Sequence, residues 1–92
     1  MAAAGLTVRT ANEIDAELSR ARKSFPSNAH RMAALVEEVG EVARALLEGD
    51  TPAELRKECI QVAAMAIRIM EEGDADFARG AGGRIDRKAA AL

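Results

Sequence analysis

The middle of the chain carries a stop signal followed at once by a start signal. Gly49 stands where a glycine ends a helix by taking the left-handed conformation, and Thr51-Pro52-Ala53-Glu54 follows directly. Thr-x-x-Glu is a capping box, in which hydroxyl and carboxylate satisfy the free amides of a new helix. Proline is tolerated at the first helical position because its missing N–H would have no partner there. On both sides the apolar residues recur at helical spacing. Upstream they are Met32, Leu35, Val36, Val39, Val42, Ala43, Leu46 and Leu47; downstream they run from Leu55 through Cys59, Ile60, Val62, Ala63, Ala66, Ile67 and Ile69 to Met70. This pattern predicts one helix over about residues 28–48 and another from 52 to 72, ended by Gly73. A connection this short makes them an antiparallel hairpin.

A third helix is expected before the hairpin. Thr10-Ala11-Asn12-Glu13 matches a second capping box, and Ile14, Leu18, Ala21 and Phe25 form a narrow stripe after it. Pro26 ends this helix, and Ser27 or Asn28 can cap the next. The expectation is therefore an all-α chain: a lead-in over 1–9, a helical domain over 10–79, and a flexible or briefly helical tail over 80–92. In the tail, Gly80, Gly82 and Gly83 break the pattern, Phe77 is a candidate to dock on the hairpin, and Arg84, Arg87 and Lys88 share helical spacing.

Such a chain has little with which to fill a core. Of its 92 residues 49% are hydrophobic, but many are alanine, and the aromatics are Phe25 and Phe77 alone. The apolar arcs of the hairpin helices are wider than one neighbour covers, so assembly into a four-helix-bundle-type homo-oligomer is expected. A net charge of -2 lacks the basic stripe of a nucleic-acid binder. No run approaches the roughly 20 apolar residues needed to span a bilayer, and residues 1–5 lack the features of a secretory signal. Cys59, the only cysteine, cannot form an internal disulfide, which suits a reducing cytoplasm.

The chemistry-bearing residues lie on the borders of these arcs. Turning each residue by about 100° puts Glu38 at the edge of the upstream arc and Glu41 roughly 60° beyond it. Glu58 and Gln61 repeat that pattern downstream. Side chains three apart on a helix are neighbours, about 5–6 Å between Cβ atoms. Two such pairs on antiparallel helices can bring four oxygen-bearing side chains together, as a hard divalent cation such as magnesium requires. The competing reading is that these glutamates simply face water.

The string Leu35-Val36-Glu37-Glu38-Val39-Gly40-Glu41-Val42, followed by Glu58-Cys59-Ile60-Gln61, resembles the MazG-like all-alpha nucleotide pyrophosphohydrolases, which pair E-x-x-E on one helix with E-x-x-D on the next. The likeness covers about residues 14–72. It implies a magnesium-dependent hydrolase, with manganese as a substitute, that cleaves nucleoside triphosphates to monophosphate and pyrophosphate and assembles as a homodimer or homotetramer. It also implies metal ligation by Glu38, Glu41, Glu58 and Gln61, with Glu38 and Glu41 as the catalytic pair. Gln61 replaces the usual aspartate; its amide oxygen can coordinate but carries no charge. Glu54, one turn before Glu58, is the candidate to make up the loss, and Lys57 and Arg68 are candidate phosphate contacts. The alternative implied by Gln61 is a non-catalytic helical module, for oligomerisation or nucleotide binding, with a degenerate metal site. His30 is expected on the solvent side of the second helix, and Cys59 in the core.

Overall fold

The computed structural model describes residues 5–76. They form three helices: α1 (Val8–Ser24), α2 (Arg31–Glu48) and α3 (Pro52–Glu72). No strand occurs among the described residues, and no helix there is long and apolar enough to cross a membrane. Helix α3 is central and packs against both α2 and α1. The expectations for Phe77 and for residues 80–92 lie outside the described residues.

The hairpin follows the local signals. Gly49 caps α2 in the left-handed region, at φ 71°, and Thr51 caps α3 by accepting a hydrogen bond from the Glu54 amide at 3.2 Å. Gly73 ends α3 at φ 81°. Helix α1 begins earlier than expected. Thr7, not Thr10, is its N-cap and accepts from the Thr10 amide at 3.0 Å. Thr7-x-x-Thr10 offers the same geometry one turn upstream, and Glu13 is drawn instead to Arg56 at 2.6 Å.

Helix α2 begins later than expected, at Arg31. Ser27 is used in the connection, where its hydroxyl accepts from the Ala29 amide. His30, placed on α2 by the sequence pattern, precedes it in the left-handed region, at φ 59° and ψ 29°, and gives no side-chain cap. The cap comes from Asp74, which is buried and accepts the Met32 amide hydrogen bond at 2.6 Å. A carboxylate there also meets the positive end of the helix dipole. The same segment is tied down by the Ala75 amide donating to Asn28 O and by His30 Nδ1 lying 2.6 Å from Asp76.

The interior is small and built from alanine and arginine. Leu18, Ala21, Ala45 and Ala64 are its buried apolar residues. The space beside these short side chains is taken by Arg31 and Arg68, which are 3% and 2% exposed. Arg31 donates to the carbonyls of Ser27, Arg68 and Gly73, and Arg68 to those of Ala21 and Phe25. Two guanidinium groups thus tie carbonyls near the C-terminal ends of α1 and α3 to the connection before α2. Glu72 supplies the counter-charge to both, 2.9 Å from Arg31 and 3.4 Å from Arg68, and also pairs with Arg22. These three arginines hold its carboxyl below the usual range, Arg22 most strongly.

Much of the predicted core is on the surface. Met32, Val36, Val39, Leu46 and Leu47 on α2, and Met70 on α3, are exposed; Leu47 is 87% so. Cys59 is exposed as well, not buried among the core residues. Within α2, the residues facing α3 and those on the exposed stripe fall on different sides of the helix.

Candidate functional site

Glu38 and Gln61 approach each other where the borders of α2 and α3 face. An amide's nitrogen and oxygen are assigned from its surroundings. With the nitrogen towards the acids, Gln61 donates to Glu58 at 2.9 Å and to Glu38 at 3.3 Å. The amide group thus stands between the two carboxylates. Ligand oxygens on adjacent positions of an octahedral magnesium ion are about 3 Å apart. Of the four residues expected together, Gln61 lies within reach of Glu58 and Glu38.

Glu41 is oriented differently. Its carboxylate pairs with Arg44, one turn on along α2, and Arg44 reaches Glu48 at 3.7 Å. Glu54 is exposed in the first turn of α3 and takes part in the cap through its amide. Among the described residues, no three His, Cys, Asp or Glu side chains converge to hold a metal ion by themselves. The oxygen donors that lie together are therefore two carboxylates and an amide. This suits magnesium in kind, since it commonly takes one or two carboxylates and fills its remaining positions with water and phosphate oxygens.

The electrostatics around Glu38 support a site with a charge to balance. The side chain is half-buried, and its pKa is raised first by lost hydration, then by repulsion from Glu58, Glu37 and Glu17; Arg20 offsets part of this. Glu17 and Arg20 come from α1, where they pair with each other at the i, i+3 spacing. Sequence reading missed both. An i, i+3 ion pair on a polar face looks like ordinary surface, and only the packing of α1 against α3 carries it to the site.

A cavity of about 390 Å³ opens beside Glu38 and Gln61. Ala34, Ala64 and Met65 give it an apolar wall, and Phe25, Ser27 and His30 stand at its far end. Arg68 lies in its floor, but its donors are directed to Ala21 O, Phe25 O and Glu72, so in this structure it braces the fold and is not free for phosphate. Lys57 is exposed and makes no hydrogen bond or ion pair among the described residues. It lines a second groove, between α1 and α3, which Gln61 also borders.

Comparison with protein-family models, with curated proteins and with solved structures finds no match to this chain.

Proposed function

We propose that the chain is a magnesium-dependent nucleoside triphosphate pyrophosphohydrolase, releasing nucleoside monophosphate and pyrophosphate. The observation that carries this reading is the meeting of Glu38, Gln61 and Glu58, with Glu38 half-buried among other carboxylates and offset only in part. Two carboxylates on either side of one amide, one of them half-buried, are donors of the kind a hard divalent cation takes. Magnesium bound there, or manganese in its place, would screen the phosphate charge and make a water molecule more acidic.

Within this reading Glu38, Glu58 and Gln61 hold the ion, and the neighbouring cavity takes the nucleoside. Glu41 is engaged by Arg44 and stands outside this set. The exposed apolar stripe of α2, together with Met70, supports self-association as a homodimer or homotetramer.

A specific observation favours a second reading. The Gln61 amide, bridging Glu38 and Glu58, does without an ion what an ion would do, as a helical module that has lost catalysis would require. Pyrophosphate release from a panel of nucleoside triphosphates with magnesium separates the two. The enzyme reading predicts activity in the natural chain and its loss in Glu38→Ala. An inert natural chain that gains activity on Gln61→Asp supports the module, and activity that survives Glu38→Ala rejects the proposed site.

A further inference from the structure

We infer that the groove between α1 and α3 is an anion site that takes the outer phosphates of a triphosphate and releases them as pyrophosphate. The inference rests on the hydrolase reading for its substrate, but the groove has its own basis. It is an open groove of about 390 Å³, and its walls carry Arg9, Arg20, Arg56 and Lys57 against two carboxylates, Glu13 and Glu17.

Those carboxylates do not balance the four cations. Glu13 is divided between Arg56 at 2.6 Å and Arg9 at 3.1 Å. Glu17 takes Nε and Nη2 of Arg20, leaving Nη1 of that group. Lys57 has no partner among the described residues. The groove therefore has two positive charges in surplus, with an exposed ammonium and one guanidinium nitrogen of Arg20 outside its pair with Glu17 to meet an anion. Both offer charge-assisted donors of the kind that phosphate oxygens accept.

The position of the groove selects a polyphosphate over a lone anion. Glu17, Arg20 and Gln61 line this groove and also the cavity beside Glu38. The acidic site and the basic groove therefore share a wall. Lys57 is one helical turn before Gln61 and on the same side of α3. A triphosphate lying across that wall would have its nucleoside on the α2 side, a phosphate at Glu38 and Glu58, and its terminal phosphates between Arg20 and Lys57.

Calorimetric titration with inorganic pyrophosphate, in chelator and at low salt, tests the groove without metal or turnover. The natural chain should bind, and Lys57→Ala should weaken binding about tenfold, as expected for the loss of one charge-assisted contact. Arg20→Ala should do the same, and Lys57→Arg should keep the affinity. Lys57 is exposed and has no partner among the described residues, so its replacement tests the groove without disturbing the contacts described above. Absence of pyrophosphate binding, or equal affinity in Lys57→Ala, overturns the inference. The outcome is separable from that of the enzyme reading. Hydrolysis with product inhibition indifferent to Lys57→Ala keeps the enzyme and rejects the groove; Lys57-dependent binding in a chain without hydrolysis does the reverse.

Discussion

Glu38 has the least comfortable environment of the candidate ligands. Partial loss of hydration and three neighbouring carboxylates raise its pKa above 4.5, the ordinary value. The folded chain thus binds this proton more tightly than the unfolded one. The resulting stabilisation is complete below the unfolded pKa and is lost as pH rises through the folded one. At neutral pH and without metal, Glu38→Gln should therefore stabilise the fold, by roughly 0.5–1 kcal/mol for a partly screened like-charge contact. Glutamine is almost as good a helix former, so propensity hides little of this. Thermal melts in chelator should show the higher midpoint at pH 7 and no difference once the pH falls into the carboxylate range. An unchanged midpoint at pH 7 would mean that the neighbours do not repel this group.

Among the helices, α2 depends most on contacts distant in sequence. Its first turn is capped by Asp74, 42 residues beyond Met32, and its C-terminus by the local Gly49. Asp74→Ala should cost about 1–2 kcal/mol, the usual loss on removing a cap, read from the midpoint of urea unfolding. Asn28→Ala should cost much less, because its part is played by a backbone carbonyl. The contrast also shows why some boundaries were legible in the sequence. Thr51, Pro52, Glu54, Gly49 and Gly73 act within a few residues of the helix ends they specify, and both hairpin helices end where they indicate. The start of α2 was not legible, because its cap lies beyond α3. Nor were the buried arginines: on a helical projection Arg31 and Arg68 look like border charges, and only the alanines opposite make room for them. Of the four residues that helical spacing put together, Gln61 lies beside Glu38 and Glu58, Glu41 pairs with Arg44 instead, and Glu17 and Arg20 needed the third helix in place.

For the whole molecule, the central fact is how little apolar surface three helices hide. Met32, Val36, Val39, Leu46 and Leu47 are exposed on one helix, and a stripe of that length is characteristic of an interaction surface. Two copies joined along it would form the four-helix core that one chain lacks. Val39→Glu with Leu47→Glu should then shift light scattering from oligomer to monomer. The double variant should also melt lower than the natural assembly and lose its concentration dependence, since dissociation removes stability by mass action. A natural chain that is monomeric at high concentration would remove this support. The apolar arcs were visible in the sequence, but which side of each would be covered depended on the central position of α3.

The claim on which the rest depends is that Glu38 and Glu58, with Gln61 between them, hold a divalent cation. Calorimetric titration with magnesium, with manganese as a second probe, measures this directly. The account predicts binding by the natural chain, tighter binding by Gln61→Asp through its added charge, and about tenfold or greater weakening in Glu58→Gln, as outright loss of a charged ligand implies. Magnesium affinity that is the same with and without the Glu58 carboxylate would contradict it.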